Sequence, residues 1–125
     1  MRVPFVDLKA QYESIKSEID NAILSVIGKT AFIGGDFVNA FETDFATLYG
    51  VKHVIGCGNG TDSLYILMRM MGVGPGDEVI TAANSWISSS ETITQTGAKA
   101  VFADVHPEYY SLDETKLEEK ITSAT

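Results

Sequence analysis

Apolar residues in the first fifty positions recur at steps of three and four, which is the spacing of one face of an α-helix. The first stripe predicts an amphipathic helix over residues 8–27, with Asp7 as its N-cap and Gly28 at its C-terminal end. Its charged residues lie elsewhere on the helix, as expected when one side packs. A second stripe predicts another helix over residues 36–49, capped by Asp36.

The connector between these helices, residues 29–35, sets two apolar residues beside two glycines. This pattern fits a turn that packs into the core, and it also fits a flexible flap over a site or a subunit boundary. We therefore divide the chain into an N-terminal helical segment with this connector, residues 1–50, and an αβ part, residues 51–125. The connector residues of interest are Phe32, Ile33, Gly34 and Gly35.

From residue 54 onward, short apolar runs alternate with amphipathic stretches. Such alternation predicts an α/β fold, in which helices cover a parallel sheet and right-handed crossovers join the strands. The helix with residues 64–71 carries Arg69 as its single charge, so we expect it to be covered on most sides. The expected strands are residues 54–57, 79–83 and 99–104, and the other expected helices are a segment ending before Gly97 and residues 114–121, capped by Asp113.

The stretch at residues 54–64 (VIGCGNGTDSL) predicts a strand, a glycine-rich turn and the start of a helix. Thr61, Asp62 and Ser63 suit a helix start because their side-chain oxygens can accept hydrogen bonds from free backbone N–H groups. Glycines allow close approach of a ligand, and the N–H groups of a first helical turn favour an anion such as phosphate. The turn matches neither the dinucleotide-binding pattern nor the Walker loop, so a phosphate cradle and an ordinary tight turn are equal alternatives. Asp62 would repel a phosphate unless its carboxylate lies along the helix start.

Ligands of open parallel sheets bind at the carboxyl ends of the strands, where two further side chains could contribute chemistry. Trp86 follows the second strand and either stacks on an aromatic ligand or caps the core, and core packing is the more common outcome. Asp104 ends the third strand and is either a functional acid or, more commonly, a cap of the following turn. Ser88, Ser89 and Ser90 match no hydrolase pattern.

Charge and cysteine content argue against several classes of protein. A net charge of −8, with nine lysines and arginines spread along the chain, argues against a nucleic-acid surface. Cys57 is the single cysteine, so we expect no internal disulfide and a reducing compartment. His53 and His106 are isolated in sequence, and no metal site is expected. No segment has the apolar length of a membrane span or the pattern of a signal peptide, so we expect a cytoplasmic protein with no membrane partner.

Several segments occur together in this chain in a characteristic order. They are residues 58–64 (GNGTDSL), 72–80 (GVGPGDEVI), 86–87 (WI), 92–93 (TI), 97–98 (GA) and 101–105 (VFADV), preceded by 3–8 (VPFVDL) and 32–35 (FIGG). In this combination the whole sequence resembles the DegT/DnrJ/EryC1/StrS aminotransferases, pyridoxal-phosphate enzymes that act mostly on nucleotide-linked keto-sugars. The resemblance implies an aspartate-aminotransferase-like fold, of which this chain would be the N-terminal part of the large domain.

The resemblance also implies roles for individual residues. Gly60, Thr61 and Asp62 match the turn that binds the phosphate of pyridoxal 5'-phosphate through backbone N–H groups and the Thr hydroxyl. Trp86 matches an aromatic position that stacks on the pyridine ring. Residues 32–35 match a substrate-binding segment near the active site, at the boundary between the subunits of a homodimer.

None of the catalytic residues implied by the resemblance falls within this chain. The cofactor-bonding Lys, the Asp on the ring nitrogen and a Ser on the phosphate would lie beyond Thr125. We expect the whole enzyme to transfer an amino group from a donor such as glutamate to a nucleotide-linked keto-sugar, and the 125 residues alone to be inactive. The lysines that do not match the family's Lys motif are Lys9, Lys16, Lys29, Lys52, Lys99, Lys116 and Lys120.

Three alternatives stay open at this point. The first is a pyridoxal-phosphate-dependent sugar dehydratase of the same family, which is distinguished by His in place of the cofactor-bonding Lys. The second is a non-catalytic phosphate-binding αβ module, which would have no use for a stacking Trp86. The third is a dimerisation domain, in which the glycine turn would bind nothing and the first two helices would cover a partner surface.

Overall fold

The computed structural model describes residues 4–125, so the first three residues of the predicted segment 1–50 lie outside the described residues. The chain divides into two compact units, Met1–Gly56 and Cys57–Thr125. Helices alone form the regular structure described in the first unit, whereas the second unit combines helices with parallel strands.

Two helices make up the first unit, α1 (Leu8–Gly28) and α2 (Asp36–Tyr49), and both lie where the apolar spacing predicts them. Asp7 is the N-cap of α1, and its Oδ1 accepts a hydrogen bond from the backbone N–H of Ala10 at 2.9 Å. Gly50 ends α2 in the left-handed conformation, with a φ of 63°, which glycine adopts without a steric penalty. The sequence therefore predicts the extent of both helices well.

Two details at the ends of these helices differ from the prediction. Gly35 is the N-cap of α2, with a φ of 82°, and Asp36 is the first residue of the helix. A side chain is strained at such a φ, which explains why glycine holds the cap position, and the Asp36 carboxylate still benefits from the positive end of the helix dipole. At the end of α1, Thr30 adopts a positive φ of 48°, two residues after Gly28.

The second unit contains α3 (Gly60–Met70), β1 (Glu78–Ala82), α4 (Ser88–Thr96) and β2 (Lys99–Ala103). The two strands pair in parallel, with Glu78 opposite Lys99 at one end and Ala82 opposite Ala103 at the other. Helix α4 forms the crossover between them and packs on α3 and on the sheet. The α/β prediction is confirmed for this strand pair.

The core of the second unit is small and lies between α3, α4 and the sheet. Met68, Ile93 and Ala98 are buried there, and Val73, Val79 and Ala100 pack against them. The expectation that α3 is covered on most sides is wrong for the described residues, because Leu67 and Met70 are 56% and 79% exposed. Only one face of α3 meets α4 and the core.

Two predicted elements are absent from the described residues. Residues 54–57 form no strand, since no neighbouring strand pairs with them and the Gly56 N–H instead donates to Glu42 Oε1 at 2.7 Å. The predicted last helix consists of two short 3-10 helices, Glu114–Lys116 and Glu118–Lys120. Asp113 caps the first of them as predicted, and its Oδ1 accepts from both the backbone N–H and the hydroxyl of Thr115.

Glu78 holds the start of β1 to two other segments of the second unit. Its carboxylate accepts hydrogen bonds from Lys99 Nζ at 2.7 Å and from Thr122 Oγ1 at 2.8 Å. These two bonds, with Lys99 the larger influence, hold the pKa of Glu78 below its ordinary value of 4.5. A lowered pKa in the folded state means that the ionised carboxylate stabilises the fold above the unfolded-state pKa, and that this contribution is lost as the pH falls through the folded-state pKa.

We therefore expect Glu78→Gln to lower the free energy of unfolding at pH 7, and we expect this difference from the unmodified protein to shrink as the pH falls below 4.5, the ordinary pKa of a Glu side chain. Denaturant unfolding at several pH values measures it. Glu119→Gln is the control, because the Glu119 carboxylate lies 3.8 Å from Lys120 and is largely exposed. A Glu78→Gln effect that is the same under neutral and acidic conditions would contradict the role of the ionised carboxylate.

Candidate functional site

The glycine-rich turn leads into α3 through an N-cap two to four residues before the predicted ones. Asn59 is this N-cap: its Oδ1 accepts from the Asp62 N–H at 2.9 Å, and its Nδ2 donates to Asp62 Oδ2 at 3.0 Å. The predicted caps Thr61, Asp62 and Ser63 all lie inside the first turn of the helix instead. This reciprocal pair fixes the conformation of the turn and holds the Asp62 carboxylate beside the cap.

Two N–H groups at the start of α3 are available to a ligand. The backbone N–H groups of Gly60 and Thr61 form no hydrogen bond within residues 4–125, whereas those of Asp62 and Ser63 are bound by the side chain and the carbonyl of Asn59. Free N–H groups at the positive end of an eleven-residue helix suit an anion, and no Cβ stands on Gly60 to obstruct it. This donor set fits a phosphate group.

The Asp62 carboxylate was the main objection to a phosphate at this helix start. Its Oδ2 accepts from Asn59, and it lies only 2.7 Å from the position that a Cβ on Gly58 would occupy. A glycine at position 58 therefore makes room for the carboxylate to turn back toward the loop. The Asp62 carboxylate is hydrogen-bonded to the N-cap residue Asn59. A phosphate on the free N–H groups requires this arrangement, because a carboxylate turned toward those groups would repel it.

A pair of hydroxyl groups connects the first turn of α3 to the start of α4. Thr61 Oγ1 lies 2.8 Å from Ser88 Oγ, and Ser88 is 8% exposed. Trp86 precedes Ser88 by two residues, and two residues of chain span at most about 7 Å, so the Trp86 backbone lies within roughly that distance of the Ser88 Cα. The structure thus brings the predicted residues Thr61 and Trp86 to the same region of the second unit.

Trp86 lies in the loop after β1, where the carboxyl ends of the two parallel strands meet. Its side chain is 77% exposed, so it does not cap the core within the described residues. It borders an open groove of about 240 Å³, together with Thr81, Ser85 and Phe102. An exposed indole beside a groove at a strand end offers a flat surface to an aromatic ring.

The other candidate residues have different surroundings. Phe32 and Ile33 are exposed, at 68% and 97%, and Gly34 and Gly35 both adopt positive φ. These four residues belong to the first unit. Asp104 directly follows β2, and its Oδ1 accepts from the Val105 N–H at 2.8 Å.

Residues 4–125 contain no group of three His, Cys, Asp or Glu side chains that could hold a metal ion. None of the helices described here combines the length and the apolar content needed to cross a membrane. Cys57 is exposed, and its Sγ approaches the Asn59 carbonyl at 3.5 Å. These observations leave the start of α3 and the loop with Trp86 as the candidate site.

Asn59 and Ser88 are two residues of the candidate site that the sequence-based prediction does not include, and the sequence does contain an indication for the first of them. Asn59 directly precedes the helix, and asparagine is among the strongest N-cap residues. No sequence pattern indicates that Ser88 contacts the start of α3. This contact depends on the packing of α4 against α3, which brings together two residues that are 27 positions apart. Its sequence context matches no hydrolase pattern, and its observed partner is another hydroxyl group.

The fold is that of the pyridoxal-phosphate-dependent aminotransferases, which confirms the predicted fold class. The chain superimposes with a TM-score of 0.91 on DesV of S. venezuelae in complex with a ketimine intermediate, at 38% identity, covering 99% of this chain and 33% of DesV. It also superimposes with a TM-score of 0.91 on NtdA of Bacillus subtilis with bound cofactor PMP, at 30% identity, covering 99% of this chain and 29% of NtdA.

The family model described as the DegT/DnrJ/EryC1/StrS aminotransferase family matches residues 13–125, and the chain belongs to this family. A UDP-2-acetamido-2-deoxy-3-oxo-D-glucuronate aminotransferase of Pseudomonas aeruginosa is 42% identical over 98% of this chain and 34% of its own length. A dTDP-3-amino-3,4,6-trideoxy-alpha-D-glucose transaminase of Streptomyces venezuelae is 38% identical over 99% of this chain and 33% of its own length. The chain spans about a third of the length of the curated relatives it matches.

Proposed function

We propose that this chain is the N-terminal part of a pyridoxal-phosphate-dependent aminotransferase that transfers an amino group to a nucleotide-linked keto-sugar. The amino donor in this proposal is a small amino acid such as glutamate. Membership of the family and the names of the related transaminases support it. The enzyme would act in the cytoplasm as a homodimer, with residues 32–35 near the substrate at the subunit boundary.

The observation that carries the proposal is the hydrogen bond between Thr61, a predicted phosphate contact, and Ser88, which lies two residues after the predicted ring contact Trp86. Thr61 Oγ1 and Ser88 Oγ lie 2.8 Å apart, and Trp86 stands two residues before Ser88. An anion-binding helix start near an exposed indole is suited to a ligand with a phosphate at one end and an aromatic ring at the other. Pyridoxal phosphate has this form.

In the proposed enzyme, the residues of this chain bind and orient the cofactor. The N–H groups of Gly60 and Thr61 and the Thr61 hydroxyl would donate to the phosphate, while Asp62 keeps Asn59 in its cap position. The Trp86 indole would cover one face of the ring and keep water from it. When bound, the cofactor supplies the electron-withdrawing ring that labilises bonds next to the transferred nitrogen.

The test of this function uses a protein of the relatives' length that carries this chain. We expect it to bind pyridoxal phosphate, to consume glutamate and to produce amino-sugar nucleotides from a panel of UDP- and dTDP-linked keto-sugars, as followed by mass spectrometry. Loss of a sugar hydroxyl without consumption of the amino donor would identify the dehydratase alternative. Nucleotide binding without pyridoxal phosphate binding would identify the non-catalytic module.

The chain of residues 1–125 alone is expected to show no transaminase activity. A nucleophilic lysine needs a lowered pKa and a fixed position at the cofactor aldehyde, and none of its seven lysines matches the family's position. The measurement is borohydride reduction in the presence of pyridoxal phosphate, followed by peptide mapping and an assay with a keto-sugar nucleotide. A specific reduced adduct on one lysine together with amine transfer would overturn this expectation, and Lys116 and Lys120, which border a groove with Asp104, are the positions to examine first.

A further inference from the structure

The hydroxyl groups of Thr61 and Ser88 form one hydrogen bond with each other, so only one of their two O–H groups donates within the pair. The two oxygens are 2.8 Å apart and either can be the donor, so one proton lies between them and the other is free to point elsewhere. No other hydrogen bond of either hydroxyl group exists within residues 4–125. Which of the two oxygens donates within the pair decides where the free proton points.

Burial determines the direction of this hydrogen bond. Ser88 is 8% exposed and Thr61 is only partly buried. If Thr61 donated to Ser88, the Ser88 proton would be left in a buried position without an acceptor, and an unsatisfied buried donor is destabilising. If Ser88 donates to Thr61, the free proton lies on Thr61, beside the unbound N–H groups of Gly60 and Thr61.

The backbone of Ser88 is held in place independently of this pair. Its carbonyl oxygen accepts from Thr92 Oγ1 at 2.6 Å, and Thr92 is fully buried in the second unit. Ser88 therefore starts α4 at a fixed position, and its hydroxyl can serve as a fixed reference for the Thr61 side chain. The same residue follows the loop that carries Trp86.

We infer that Ser88 is a positioning residue, which donates to Thr61 Oγ1 and thereby directs the Thr61 hydroxyl proton toward the phosphate of the cofactor. This inference rests on the proposed function. It assigns Ser88 an effect on the phosphate end of the ligand, through Thr61, without contact between Ser88 and the ligand. An anchoring hydroxyl that is already oriented before binding raises affinity because less freedom is lost on binding.

The test compares cofactor dissociation constants, measured by fluorescence titration of the apo form of the protein of relatives' length that carries this chain. Pyridoxal phosphate and pyridoxal, which lacks the phosphate, are each titrated against the unmodified protein, Ser88→Ala, Thr61→Val and the double variant. We expect Ser88→Ala to weaken binding of pyridoxal phosphate by about 3- to 10-fold and to leave pyridoxal nearly unaffected. In the Thr61→Val background, Ser88→Ala should have no further effect.

Thr94→Ala is the control for removal of a hydroxyl on α4, because Thr94 is exposed and its hydroxyl donates to the Ser90 carbonyl within the same helix. If Ser88→Ala does not fold, Ser88→Cys keeps the side-chain shape with a weak donor and should show the same selective loss. Equal weakening of both ligands, no weakening of either, or an undiminished Ser88→Ala effect in the Thr61→Val background would overturn the inference. No effect of Thr61→Val on pyridoxal phosphate would instead show that the phosphate site itself is wrong, and the inference would fall with it.

Discussion

Replacement of Thr61 by valine is expected to weaken the binding of pyridoxal phosphate by about 10- to 150-fold in a protein of the relatives' length that carries this chain. Valine keeps the shape of threonine but removes a hydroxyl donor to a doubly charged phosphate, and a hydrogen bond to a charged group contributes roughly 1.5–3 kcal/mol. Trp86→Ala should also weaken binding, by the loss of its contact area and by about 0.5–1.5 kcal/mol of stacking beyond that area, and should shift the absorption of the cofactor. Equilibrium dialysis and absorption spectra measure both effects.

Thr94→Val is the matched control, because it removes an exposed threonine hydroxyl that donates within α4. Melting temperatures separate loss of cofactor contacts from loss of stability, since Thr61→Val also deprives Ser88 of its partner. Cofactor affinities that match the unmodified protein in both Thr61→Val and Trp86→Ala would place the cofactor elsewhere.

Gly97→Ala is expected to lower the free energy of unfolding by about 2–6 kcal/mol, which is the largest stability effect we expect in the second unit. Gly97 ends α4 with a φ of 90°, a conformation that costs a residue with a side chain about 1–3 kcal/mol. A Cβ at this position would also lie 2.9 Å from Pro75 Cγ and 3.2 Å from its Cδ. Because the proline ring cannot rotate away, this overlap adds about 1–3 kcal/mol, and denaturant unfolding measures the sum.

Gly72→Ala separates the two causes. Gly72 has a similar φ of 86°, but a Cβ at this position would meet no atom of the described residues within 4 Å, so the variant should show the backbone penalty alone. We expect Gly97→Ala to be more destabilising than Gly72→Ala by about 1–3 kcal/mol. Equal effects would mean that Pro75 moves aside freely.

The elements that the sequence predicts well are those with a local signal. The helices α1 and α2 follow from apolar spacing and from caps such as Asp7 and Gly50, and these depend on neighbouring residues only. The strands β1 and β2 follow from short apolar runs bounded by turn residues, and their parallel pairing follows from the helix between them.

The elements that the sequence predicts poorly depend on partners at a distance. Residues 54–57 have the composition of a strand, but a strand exists only beside another strand, and the Gly56 N–H binds the Glu42 side chain instead. The predicted last helix is short enough that its stability depends on packing rather than on propensity, and it forms two 3-10 turns.

The candidate site also combines features that the local sequence predicts with features that depend on residues far apart in the chain. The sequence predicts the glycine turn and Trp86 as candidates because both follow strand-like segments, and ligands of open parallel sheets bind at the carboxyl ends of the strands. A single tryptophan in the sequence does not show whether its side chain caps the core or faces solvent, and in the structure Trp86 is 77% exposed. The link between Thr61 and Ser88 has no counterpart in local sequence, since it joins two helices across the second unit.

A crystal structure of the protein of relatives' length, grown with pyridoxal phosphate, tests the central claim most directly. We expect phosphate oxygens about 3 Å from the N–H nitrogens of Gly60 and Thr61 and from Thr61 Oγ1, with the pyridine ring facing the Trp86 indole. A phosphate bound away from the start of α3, or a ring on which Trp86 does not stack, would contradict it.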